Sequence, residues 1–247
     1  MRHLENIEAK QIIPGDDELL PERLEEESDW ADDLQAFLSG QVDRIADQVQ
    51  PGLFGEPGRD PLREFWEDEL GLLLALLSLI VIQFVERGIS AAVGRIGSVG
   101  LGVDEQVNIE AEKWARRHAL RLAKGLNKTT RTLARQRIAA WVAGGTNDRA
   151  ALVDSLSEII GPRWRAEMIA QTEITRAYGE AHRIVGDRTK GIKYTIWWTA
   201  RDERVCPVCA PLHGAKIRKG GTFPGGFRSP PAHPRCRCGV TFETTET

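Results

Sequence analysis

At 247 residues and 41% hydrophobic side chains, the chain can bury one large core or two smaller ones, which excludes a wholly disordered protein. Its formal charge of −3 hides an asymmetry: residues 1–60 carry 16 acidic against 5 basic side chains, and the remainder 20 against 28. That split predicts an acidic arm on a basic body, and MRHLENIEAK has neither the basic start nor the apolar run of a secretory signal, so the thiols are expected to stay reduced in a cytoplasm.

Within the acidic arm, Leu34, Leu38, Val42, Ile45 and Val49 recur at helical spacing, which predicts an amphipathic helix capped near Ser28 and Asp29. QPGLFGEPGRDP (50–61) reads as a linker, with Asp60 and Pro61 opening the next helix. That helix holds the apolar run Leu70 to Val85, flanked by Glu69 and Glu86. At sixteen residues the run falls short of the roughly 18–20 that span a bilayer, so a buried core helix is expected and membrane contact is not. GRIGSVGLG (94–102) should end it. Helices with short connections are then expected near 104–124 and 129–143, separated at Gly125–Asn127, the second stopping at Gly144-Gly145, with a third after Thr146/Asn147 and a fourth after Gly161-Pro162.

Arg117, Arg121, Lys124, Lys128, Arg131 and Arg135 follow a 4-3-4-3-4 rhythm. It would make one stripe on an unbroken helix, and two patches if Gly125 and Asn127 break it. A solvated face is the plain reading, with nucleic acid phosphate or an acidic protein as the candidate partners; no aromatics interleave to suit single strands.

After Gly191 the pattern turns to strand: IKYTIWWTA (192–200) and GVTFE (239–243) are rich in β-branched and aromatic residues. The sequence thus divides into an acidic arm (1–60), a helical domain (61–190) and a Cys/His module (191–247), a mainly α fold followed by a small zinc-stapled α+β unit. All four cysteines lie in that last module, which is short of apolar core and needs a staple. CPVC places Cys206 and Cys209 on one tight turn, and His233 and Cys236 repeat the two-residue gap, so three thiolates and one imidazole could hold a structural zinc tetrahedrally. Cys238 could replace His233, and His213, four residues after Cys209, is a third candidate. Four protein donors would leave no open position for substrate, which argues against a catalytic metal.

WWTARDERVCPVCAPLHG (197–214) and PPAHPRCRC (230–238), preceded by RAEMIAQTEITRAYGEAH (165–182), resemble the phage Mu F-like family of minor head proteins, also called head morphogenesis proteins. The resemblance covers roughly residues 105–242. It implies a non-enzymatic virion protein of a tailed phage or prophage, made in the bacterial host cytoplasm. Its expected partners are the portal and other head or scaffold proteins, and phage DNA; no small-molecule substrate is expected. The resemblance also favours His233 and Cys236 over Cys238 as zinc ligands. Asp202 and Arg204, at the entry to the first knuckle, are expected to brace it. The rival readings are a zinc-dependent, HNH-like nuclease with His213 as base, and an injected membrane-active effector using Leu70 to Val85.

Overall fold

The structure is a computed structural model, and it describes residues 11–12, 21–49, 61–97, 104–145, 148–199 and 205–244. The expected linker at 50–60, the Asp60 and Thr146/Asn147 caps, and Asp202 and Arg204 lie outside the described residues. The fold is mainly α: α1 (Pro21–Gln48), α2 (Arg63–Gly97), α3 (Gln106–Ala143), α4 (Arg149–Ile160) and α5 (Arg163–Arg188) precede most of a small sheet. Its strands are β1 (Gln11–Ile12), β2 (Ile192–Trp198), β3 (Lys216–Ile217) and β4 (Gly239–Thr244), in the order β1-β4-β2-β3. Every described pairing is antiparallel.

Two compact units emerge, one of residues 1–26, 81–116 and 171–247, the other of 27–80 and 117–170. In the second unit, Leu34, Leu38, Val42, Ile45 and Val49 are buried as their spacing predicts. The helix that carries them, however, begins at Pro21 rather than at Ser28 or Asp29. Proline suits the first helical position, where its missing N–H costs nothing. Glu69 is buried against this helix and accepts hydrogen bonds from Gln41 Nε2 at 2.8 Å and Arg44 Nε at 2.5 Å, so this buried carboxylate is paired.

Two sequence expectations change. The break at Gly125–Asn127 does not occur, and α3 runs through it as one helix of 38 residues. Asn127 is buried there and donates from Nδ2 to the Trp66 carbonyl at 2.9 Å, while Gly125 faces open space. A helix end was signalled by residue type alone; a tertiary hydrogen bond and continuing packing at Thr130, Ala134 and Ile138 override it. The helix stops instead at Gly144-Gly145, where Gly145 takes φ +66° and donates to the Val142 carbonyl.

The apolar run of α2 is only partly core. Leu73, Leu77, Ile80, Val81, Phe84 and Val85 are buried, but Leu72 and Leu79 are 53% and 74% exposed. The helix is long and apolar enough to cross a membrane by length and composition, with 33% of its most apolar window buried.

In the first unit, α5 lies on the sheet. The His182 ring stacks on Phe242 of β4 with centroids 6.1 Å apart, and Gly186 lets Phe242 approach: a Cβ there would sit 2.7 Å from its ring. On α5, Arg183 bridges Glu180 and Asp187. Those carboxylates in turn accept from Ser229 Oγ and the Gly220 amide, which ties the loop after β3 to the helix.

Candidate metal centre

The predicted strands form, and they frame the cysteines. β2 pairs with β4 from Ile192↔Thr244 to Trp198↔Gly239, and β3, which the sequence did not reveal, adds to the other edge of β2. The first knuckle leaves β2 and turns tightly: the amides of Cys209 and Ala210 both donate to the Cys206 carbonyl, at 3.0 and 2.9 Å. A 3-10 turn over Ala210–Leu212 follows and buries Leu212. The second knuckle repeats the turn, with the Cys236 amide donating to the His233 carbonyl at 3.2 Å. Arg235 sits inside it at φ +60°, a conformation few side chains adopt, and its amide is held by Thr172 Oγ1 of α5 at 3.0 Å.

The two turns bring the sulfurs and one imidazole together. His233 Nε2 lies 3.0 Å from Cys206 Sγ and 3.1 Å from Cys209 Sγ, and Cys209 Sγ lies 3.8 Å from Cys236 Sγ. The donor atoms of Cys206, Cys209 and His233 are all within 4.8 Å of one another, as are those of Cys209, Cys236 and Cys238. These residues could therefore hold a metal ion. Thiolates about 2.3 Å from a tetrahedral zinc stand about 3.8 Å apart, which is the Cys209–Cys236 separation. His233 Nδ1 is 2.6 Å from the Pro234 carbonyl; as the donor to that oxygen it leaves the Nε2 lone pair for the thiol side. The four cysteines are free thiols.

The electrostatics suit a cation. A hydrogen bond from Cys238, outweighing burial, brings the Cys236 thiol down to about 5. Donating that bond, with burial, holds Cys238 far above the usual thiol range. Burial and the neighbouring Cys236 push Cys209 up to about 12. Desolvation opposes ionisation of Cys206, but the backbone amides of Cys209 and Val208 outweigh it and lower that thiol. Burial likewise opposes protonation of His233, yet the Pro234 carbonyl and the charges of Cys236 and Cys206 raise it. The cluster is thus short of positive charge and shares protons between sulfurs, the condition that a divalent ion relieves by displacing them.

His213, the third candidate ligand, joins neither group of donors. Its Nδ1 meets Thr199 Oγ1 at 2.9 Å, and its ring packs on Trp198 with centroids 4.7 Å apart. What the sequence did not disclose is the support behind the second knuckle. Thr175 Oγ1 donates to the Cys236 carbonyl at 2.7 Å, three residues along α5 from Thr172. Pro230 approaches Gly179 so closely that a Cβ there would lie 2.6 Å from the Pro230 carbonyl oxygen. Thr172, Thr175 and Gly179 fall at intervals of three and four, one face of α5, and that periodicity is the signal that could have found them. A small cavity beside the thiols is lined by Val205, Cys206, Cys209, His233, Arg235, Arg237 and Cys238.

A family model described as phage Mu protein F like protein matches residues 117–241, which include both knuckles. Searches of the curated proteins and of the solved structures return no match.

Proposed function

The chain belongs to the phage Mu protein F-like family, a family of phage head-morphogenesis proteins, and on that premise we propose that it is a minor head protein of a tailed phage or prophage. In this reading it docks on the portal or the inner capsid during head assembly and is carried in the virion. It is made in the cytoplasm of the bacterial host, and its task is structural rather than catalytic. The observation that carries the reading is the family match, which takes in most of α3, all of α4 and α5, and the Cys/His module as far as residue 241.

The module's metal is zinc, held by Cys206, Cys209, His233 and Cys236. Soft thiolates with one imidazole in a tetrahedral arrangement favour zinc over harder cations, and a filled set of four protein donors is the pattern of a structural site. Against the nuclease alternative, His213 lies in neither group of metal-donor atoms, its Nδ1 meeting Thr199 Oγ1 instead. The exposed Leu72 and Leu79 keep the membrane alternative testable: flotation of the full chain with vesicles separates it from the head reading. Contact with packaged DNA would use α3, which carries no acidic residue after Glu112 and exposes Arg117, Arg121, Lys124 and Lys128.

Quantitative mass spectrometry of purified, DNA-filled heads tests the reading. A few copies of the chain per head are expected, and they should persist through density-gradient purification. Absence from heads, with the protein recovered only in the soluble lysate, would remove it.

A further inference from the structure

The basic excess that follows the acidic arm is not spread along the chain. Residues 61–187 hold 17 basic and 16 acidic side chains and are close to neutral, whereas residues 188–247 hold 11 basic and 4 acidic. Between Asp187 and Glu243 the only acidic residues are Asp202 and Glu203, which Arg201 and Arg204 flank in the sequence. The net positive charge therefore sits in the Cys/His module.

The fold gathers part of that charge at one end of the sheet. Lys193 on β2 and Arg218, just past β3, both lie over the Tyr194 ring, with Nζ 5.4 Å and Cζ 5.9 Å from its centroid. Lys219 Nζ donates to the Thr189 carbonyl at 2.7 Å, which sets it beside Lys190 in the turn from α5 to β2. All four cations are exposed, and none is in an ion pair among the described residues. Of the described carboxylates, Asp187 and Glu243 border the cluster, and both are engaged. Asp187 accepts from Arg183 and the Gly220 amide, and Glu243, opposite Tyr194 across the sheet, pairs with Lys216. Four like charges held together repel one another, and a string of anions relieves that repulsion.

We infer that this end of the module binds the phosphate backbone of duplex nucleic acid without reading its sequence. Protein interfaces centre on aromatic or aliphatic anchors, whereas nucleic acid interfaces are polar and positively charged. Among the described residues after Arg188, Val208 on the first knuckle is the one exposed large hydrophobic, so the cluster has no such anchor. Lysine and arginine contacts to phosphate position a protein but carry no sequence information. The Tyr194 ring, occupied by both cations, is no free platform for an unpaired base, which favours a duplex over a single strand. The surface is separate from the basic residues of α3 from Arg117 onward, which belong to the other compact unit. The head-protein reading supplies only the identity of the polymer, packaged DNA.

Fluorescence anisotropy of the full chain with labelled 30-base-pair duplexes tests it. Two unrelated duplexes should bind equally and weaken with salt. The exposed triple variant K190Q/K193Q/R218Q, with unchanged circular dichroism, should flatten the slope of log K against log salt by about 2.7, since each neutralised phosphate contributes about 0.9. K190R/K193R/R218K should bind as the wild type does. A wild type that ignores both duplexes at about 0.05 M salt overturns the inference, as does binding that R121Q/K124Q/K128Q abolishes and the module triple retains. Labelled poly-glutamate of equal charge that binds more tightly than the duplex, through Lys190, Lys193 and Arg218, would assign the surface to an acidic protein instead. None of these outcomes changes whether the chain is found in purified heads, so this contact and the head-protein reading fail separately.

Discussion

His233 faces the first knuckle through Nε2 because its other ring nitrogen is engaged by the Pro234 carbonyl at 2.6 Å. That tautomer leaves the Nε2 lone pair of the imidazole for an ion, whereas a site using Cys238 would need both sulfurs of a Cys-x-Cys on one ion. His233→Ala should therefore lose bound zinc and Cys238→Ser should retain about one ion per chain, read by elemental mass spectrometry of protein purified without a metal tag. Retention by His233→Ala together with loss on Cys238→Ser would transfer the fourth position to the all-cysteine set. Thr175 acts one shell further out. Its hydroxyl holds the Cys236 carbonyl at 2.7 Å in a buried position, and Thr175→Val keeps the shape while orphaning that oxygen. A loss of about 1–3 kcal/mol in urea unfolding is expected. Because the carbonyl belongs to Cys236, one of the proposed ligands, a fall of roughly 10–100-fold in zinc affinity should accompany it, as competition with a chromophoric chelator would report. A stability loss with unchanged affinity would make Thr175 a packing residue only.

At the scale of elements, glycines separate what was legible in the sequence from what was not. By residue type Gly125 marks a helix end and Gly179 marks nothing; in the fold Gly125 meets nothing within 4 Å, while a Cβ on Gly179 would press on Pro230. Gly125→Ala should thus raise stability by up to about 1 kcal/mol, since alanine is the better helix former and nothing obstructs it. Gly179→Ala should lower it by about 1–3 kcal/mol through overpacking, and thermal melts of the two variants should move in opposite directions. A destabilised Gly125→Ala would mean that α3 does bend there. The periodicity of α1, the β-branched and aromatic runs of β2 and β4 and the paired Cys/His gaps were readable because each is a local pattern tied to one backbone geometry. The continuity of α3 was not, because it depends on Asn127 reaching the Trp66 carbonyl 61 residues away. β1 and β3, two residues each, are too short for any periodicity to register. The half-exposed state of α2 was hidden for another reason: hydrophobicity all round a helix says that partners are needed, not how many a single chain supplies.

At the scale of the molecule, the two units rest on different foundations. The unit of residues 27–80 and 117–170 buries Leu34, Leu38, Ile45, Trp66, Leu73, Leu77, Ile138 and Leu152 almost completely, an ordinary hydrophobic core. The Cys/His end of the other unit packs around Trp197, Leu212, Phe223 and Val240, and the remaining buried members of that cluster are Cys209, Cys236 and Cys238. Three of seven are thiols, so the site is the centre of the packing and not an attachment to it. Zinc binding to such a module contributes on the order of 10 kcal/mol, comparable to the whole stability of a small domain. Chelation should consequently release the knuckles while leaving the hydrophobic unit intact. Hydrogen exchange read by mass spectrometry should show faster exchange at the amides of Trp197, Cys209, Gly214, Phe223 and Cys236, all of which are hydrogen-bonded in this module, with protection unchanged in α1 and α4. Cys209→Ser should reproduce the chelated pattern without chelator. If metal leaves and those amides remain protected, the four apolar side chains suffice to hold the module, and zinc has some task other than stapling it.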